Sequence, residues 1–394
     1  MKTFRSLLLL PAVVFLICGI SSAAGKKYIL YVGTYTGAES KRIYGFGYDA
    51  ASGRVDPLGL MAKTDNPSFL TVDRANKFLY AVNEVHDYQD AASGGVTAFA
   101  MDRKSGKLSE LNEVASRGAD PCYIAFDKTG KYVLIANYTG GNVAVIPVSP
   151  DGRLKDASSV LNDDGALGPN KDRQNAPHAH WIEASARNRF AYISDLGLDR
   201  VFIYKFDAAS GSLTRGDPAK DSLAAGKDFF SATLAPGTGP RHVAFSLNGN
   251  FMYVLGELDS TVTVFANEAK QTYRSIQKIS AIPASFSGLN EPAEIVLHPS
   301  GKFLYTSKRG DDSIAVFAVN GKSGKLRLVQ RISSGGKAPR HFAIDPLAKH
   351  LLAANEDSGN IVEFTIDPAT GKLTTTGEIA EVASAVCLVF VPVD

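Results

Sequence analysis

The groups best suited to chemistry in this chain are arginines, histidines and carboxylates that recur at matched offsets. Arg241-His242 and Arg340-His341 each follow a proline, and His178 and His180 follow Pro177 within Pro-His-Ala-His-Trp. Seventeen positions separate Pro67 from Glu84, Pro121 from Tyr138, Pro240 from Glu257, Pro292 from Arg309 and Pro339 from Glu356; eighteen separate Pro177 from Asp195. Equal offsets place these residues at equivalent points of a repeated unit. Glu84, Tyr138, Asp195, Glu257, Arg309 and Glu356 then form one ring of polar groups, and Arg241, His242, Arg340, His341, His178 and His180 a second. Such rings suit an anionic, oxygen-rich small molecule, because a guanidinium grips carboxylate or phosphate through two parallel N–H donors. Glutamate or histidine beside it can move a proton.

The elements that must position these rings are strands. Thirty-six glycines punctuate apolar runs rich in Val, Ile, Phe and Tyr, which is the pattern of many short strands. A phrase recurs from each of the six prolines: an apolar strand, a polar turn, a second strand, then an alternation such as Val262-Thr263-Val264-Phe265 and a turn such as Ser323-Gly324-Lys325-Leu326. Copies lie about 50 residues apart, one four-stranded propeller blade each. Tyr28 to Leu60 lacks a first strand, whereas Val386 to Val391 is a first strand with nothing after it. Joining the two closes the ring and removes both exposed edges. The chain is therefore expected to be an all-β, seven-bladed propeller of four-stranded antiparallel blades over residues 25–394. In an up-and-down meander the start of the innermost strand and the loop after the second strand lie on one face, so both rings gather at one channel mouth. Strand alternation implies that one member of each Arg-His pair reaches the channel while the other packs between blades.

Residues 1–24 read as a cleaved secretory signal: Lys2 and Arg5 precede an apolar run to Ile20, and Ser22-Ala23-Ala24 supplies small residues for cleavage. The run is too short for a bilayer core that needs about 20 apolar residues, so a periplasmic or secreted protein without a membrane span is expected. Without Lys2 and Arg5 the 42 basic residues become 40, against 40 acidic ones, and no nucleic-acid field is implied. Cys122 and Cys387 fall in non-adjacent blades, which argues against a bridge. His178 and His180 have the spacing of metal ligands on a strand, but no third His or Cys pairs with them, so no metal or other cofactor is expected.

Tyr-Val-Gly-Thr-Tyr-Thr-Gly from Tyr31, Asn-Ala-Pro-His-Ala-His-Trp from Asn175, Gly-Thr-Gly-Pro-Arg-His from Gly237 and Gly-Glu-Leu-Asp-Ser from Gly256 resemble motifs of the propeller-type 6-phosphogluconolactonases and the related fungal carboxymuconate lactonizing enzyme. The resemblance runs from about Tyr28 to the end. It implies an active site of a histidine, two arginines and a glutamate, falling here on His178 or His180, Arg241, Arg309 and Glu257. Arg340, His341, Asp195, Glu356 and Tyr138 are expected to help bind the substrate. The expected function is hydrolysis of a sugar-type lactone, with Glu257 or a histidine of the pair activating water. Two alternatives stand beside it: closure of a carboxymuconate to a lactone, and a non-catalytic exported propeller that binds a partner.

Overall fold

The computed structural model describes residues 27–37, 42–215, 231–269 and 272–393; the signal expected over residues 1–24 lies outside them. Every helix or strand among these residues is a strand. They form seven antiparallel sheets: 27–63 completed by Ala385–Pro392, then 70–115, 121–162, 179–214 with Ser231–Thr233, 240–280, 291–333 and 339–381. This is the seven-bladed propeller that the repeat predicts.

Alternation along each strand turns apolar side chains into both neighbouring blades. Tyr253 and Leu255 of one blade thus bury against Leu304 and Phe317 of the next, whose Phe303 and Tyr305 bury against Phe342 and Phe364 of the one after. Polar side chains stitch the same seams at the mouth. Asn83, Asn137 and Asn355 each end a second strand and donate their amides to the carbonyls of Asp65, Ser116 and Ser334, at 2.7, 3.1 and 3.3 Å.

The ring closes where the sequence leaves a blade incomplete. Ala385–Pro392 runs antiparallel to Lys27–Thr34, with Tyr28 opposite Pro392 and Cys387 opposite Gly33. Cys122 and Cys387 are both buried and unbonded.

One irregularity repeats at the mouth end of the innermost strands. In six blades the pairing with the second strand slips by a bulge, between Pro121 and Tyr123, Ala179 and Trp181, Pro240 and Val243, Pro292 and Ile295, Pro339 and His341, and opposite Gly33 and Thr34. The residues held in the bulges are Cys122, His180, Arg241 with His242, Ala293 with Glu294, Arg340 and Val386. A bulge re-aims the side chains it contains. Simple alternation therefore fails here: Arg241, His242, Arg340 and His341 all line the channel, and neither member of either Arg-His pair is lost between blades.

Leu388 is 3% exposed in the cluster that joins Tyr28 and Leu30 at one end of the chain to Leu352 and Ile361 near the other. Leu388→Ala should cost about 3 kcal/mol in denaturant unfolding. The same change at Leu289, 80% exposed, should cost almost nothing.

Candidate functional site

The segment Gly237–Arg241 sets the first element of the site. Asp199 accepts N–H bonds from Gly237 and Gly239, both at 2.7 Å. Gly239 has φ +59°, and a Cβ there would lie 2.5 Å from Leu258 Cγ; glycine alone fits without strain. Pro240 then starts the strand, and the bulge turns Arg241 inward.

Glu257, at the end of the second strand of the same blade, lies 1% exposed at the centre of the mouth. Arg241 Nε approaches its Oε2 to 2.8 Å and Arg309 Nη2 to 3.3 Å, while Arg173 Nη2 donates to its Oε1. Burial raises the Glu257 pKa, but Arg309, Arg241 and Arg173 together outweigh it and hold the carboxyl at about 2. Arg241 is drawn down to about 10 by burial and by Arg340 and Arg309, and it stays a cation at neutral pH. Arg241 Nε, Arg309 Nη2 and Glu257 Oε2 meet as charges without aligned hydrogen bonds. Buried donors left unspent in this way are uncommon; Arg241 lies beneath Glu257, and Glu257 and Arg309 border a cavity.

That cavity has a volume of about 270 Å³ and is lined by Tyr35, Glu84, Cys122, Tyr138, Arg173, His180, Glu257, Arg309 and Arg340. His180 Nε2 lies 4.0 Å from Glu257 Oε2. Burial, with Arg241, His242 and Arg340 nearby, pushes His180 well below its ordinary pKa, leaving a neutral imidazole. Across the cavity, Tyr35 donates to Glu84 at 2.9 Å and receives a bond of 2.5 Å from Arg340, whose guanidinium stacks 4.9 Å from the Tyr35 ring centre. Burial raises the Glu84 pKa against the pull of Arg340, Ser68 and Tyr35. Arg173 also donates to Tyr138 at 3.3 Å and to Glu291.

Of the ten residues that the sequence analysis assigns to catalysis or substrate binding, Glu257, His180, Arg309, Arg340 and Tyr138 line the cavity, and Arg241 sits directly beneath through Glu257. The other four do not line it. His178 stacks on Tyr138 with ring centres 4.5 Å apart, and both its nitrogens are spent, on Tyr138 O and Asn175 Oδ1 at 3.0 Å. Asp195 is fully buried and holds the backbone N–H groups of His178 and Leu198; its neighbour Asp163 is pushed far above the carboxylate range by burial and by Asp195 itself. Glu356 is half-buried outside the cavity and acts on Arg340 through its charge. His341 points deeper, toward Glu294, at 3.4 Å. Among the described residues, no three His, Cys, Asp or Glu gather as metal ligands.

Repeat spacing misses Arg173, Tyr35 and Glu291. Arg173 lies in a loop without an equivalent in other blades. Tyr35 is the second tyrosine of the Tyr31 motif, where only the motif itself could point to it.

The chain is similar to known proteins over most of its length. The family described as Lactonase, 7-bladed beta-propeller, matches residues 29–390. The 6-phosphogluconolactonase of Bacillus subtilis is 37% identical over 315 residues, 80% of this chain and 84% of the relative. That of Formosa agariphila is 32% identical over 320 residues, 79% and 85% respectively. The structure of a periplasmic gluconolactonase from Pseudomonas aeruginosa superposes with a TM-score of 0.84 at 34% identity, covering 93% of this chain and 100% of that one.

The Glu257 carboxyl also sets a pH dependence of stability. Its folded pKa lies below the unfolded value of 4.5, so its contribution is complete above that value and is lost as pH falls toward 2. The drop should be on the order of 3 kcal/mol. Glu257→Gln should make this limb of the unfolding free energy against pH shallower, leaving the part set by Glu294, whose carboxyl is also held at about 2, while lowering stability at pH 7 by about 3–5 kcal/mol.

Proposed function

We propose, from the premise that this chain belongs to the Lactonase family of seven-bladed β-propellers and is a lactonase-type ester hydrolase, that the mouth cavity opens a sugar-type lactone by direct attack of water. The observation that carries the site assignment is the unspent N–H capacity of Arg241 and Arg309 beside a neutral, buried His180.

His180 takes a proton from water as the water oxygen bonds to the lactone carbonyl carbon. The carbonyl oxygen becomes an oxyanion, held by Arg241 and Arg309, and preorganised donors of this kind stabilise charge that develops only in the transition state. Collapse breaks the bond to the ring oxygen, which receives the proton back from the imidazolium, and the product is the hydroxy acid. Glu257, ionised with a pKa of about 2, is a poor proton acceptor at neutral pH. It holds the guanidiniums in place, and of the three bases that the sequence leaves open, Glu257, His178 and His180, we assign the role to His180, since His178 spends both its nitrogens. Arg173 and Arg340 supply positive charge on either side of the cavity for an anionic or hydroxyl-rich substrate.

The basic and apolar pattern of residues 1–24 and the likeness to a periplasmic gluconolactonase both support an exported enzyme. An exported enzyme meets lactones outside the cytoplasm, which favours a sugar lactone without the 6-phosphate.

Arg241→Ala should lower kcat/KM for δ-lactones by about 10²- to 10³-fold, and unchanged turnover removes the proposed role. A base with a lowered pKa stays active as the pH falls. The kcat/KM profile of the wild type should therefore be level down through pH 6.5, with its acid limb below the ordinary histidine value; a limb at or above pH 6.5 speaks against His180.

A further inference from the structure

Below the mouth, Arg241 rests on a buried column that the proposed chemistry does not use directly. Arg241 Nη1 lies 3.2 Å from His242 Nε2. His242 Nδ1 lies 3.0 Å from Glu294 Oε1, which also accepts the Ile295 N–H at 2.8 Å. Glu294 Oε2 lies 3.4 Å from His341 Nε2. On the far side, His341 Nδ1 accepts the Leu388 N–H at 3.3 Å. Arg241, His242, Glu294 and His341 are all at most 9% exposed.

The donors and acceptors allow one arrangement of protons. A guanidinium only donates, so His242 Nε2 must accept from Arg241, and Nδ1 carries the proton that goes to Glu294. A backbone N–H likewise only donates, so His341 Nδ1 accepts and Nε2–H faces Glu294. Both imidazoles are then neutral. Their pKa values agree, since burial outweighs Glu294 and puts His242 at about 4 and His341 below its ordinary value. Burial raises Glu294, but His242 and His341 outweigh it and hold the carboxyl at about 2. Arg241 is thus clasped from two sides, by Glu257 at Nε and by His242 at Nη1.

We propose that Glu294 is a positioning residue for lactone opening: by fixing the tautomer of His242, it makes that ring an acceptor that orients Arg241 toward the substrate. This rests on the assignment of Arg241 to the oxyanion. The deep bulge of the 291–333 blade, which holds Ala293 and Glu294, then serves a site 52 residues away through the bulge of the preceding blade. Ala293 takes part as well, its carbonyl accepting from Arg241 Nη1.

Two substitutions of His242 separate the links. His242→Asn keeps an amide donor near the place of Nδ1 but removes the acceptor for Arg241. His242→Gln can put an amide oxygen near the place of Nε2, so it keeps the acceptor. The full chain carrying Glu294→Gln or His242→Asn should lose about 10- to 100-fold in kcat with KM within about twofold, whereas His242→Gln should recover most of the loss. In an Arg241→Ala background, Glu294→Gln should have no further effect on kcat, because residues that act through one another are not additive. Multiplicative losses in that cycle, or equal losses for the two His242 variants, overturn the inference. Should Glu294→Gln fail to fold, the His242 pair alone decides. An Arg241→Ala enzyme with full turnover defeats the oxyanion assignment itself, whereas a slow Arg241→Ala beside a fully active Glu294→Gln defeats only the positioning role.

Discussion

The site depends on one ionised carboxylate buried among guanidiniums. Without Glu257, Arg173, Arg241 and Arg309 would repel one another at a mouth where water screens them little. With it, the cluster persists while two N–H donors stay turned away from aligned hydrogen bonds. Breaking a buried ion pair leaves an uncompensated charge and is far costlier than never having made it. The carboxylate thus serves stability and, in the proposed reaction, function together: the charge that permits the guanidiniums to pack also aims them.

The fold supplies two conditions for this. Closing the ring with Ala385–Pro392 fixes all seven innermost strands around one axis. The bulges at their mouth ends then direct His180, Arg241, His242, Glu294 and Arg340 inward, against the alternation of a regular strand. Layering follows from the same geometry. Glu257, Arg309 and His180 border the cavity, Arg241, His242 and Arg340 surround a water-sized gap beneath, and Glu294 with His341 forms the floor.

Much of this is legible in the amino-acid sequence, for a physical reason: equal spacing between an opening proline and a closing polar residue is a statement about equivalent positions in space. Blade number, the split blade at the termini and the meeting of Glu84, Tyr138, Glu257 and Arg309 all come from that rule. Where it breaks, the cause is local. Asp195 obeys the count only with one extra residue and spends its carboxylate on backbone N–H groups. His178 and His180 cannot be told apart by spacing, because the choice is made by a bulge at His180, and bulges leave no composition signal there. Arg173 escapes because a loop used once has no repeat to reveal it. The leader expected over residues 1–24 is, by contrast, a reading of the sequence alone, since those residues lie outside the described structure.

This cup of guanidiniums, one carboxylate and a neutral imidazole is proposed to hydrolyse lactones on its own. It is tested most directly by the initial rate on gluconolactone and 6-phosphogluconolactone for signal-free protein dialysed against a chelator, read against the spontaneous rate. Clear turnover of a sugar lactone, unchanged by the chelator, is the expected result. A rate no greater than the spontaneous one for every lactone, or activity that disappears with the chelator, would contradict it.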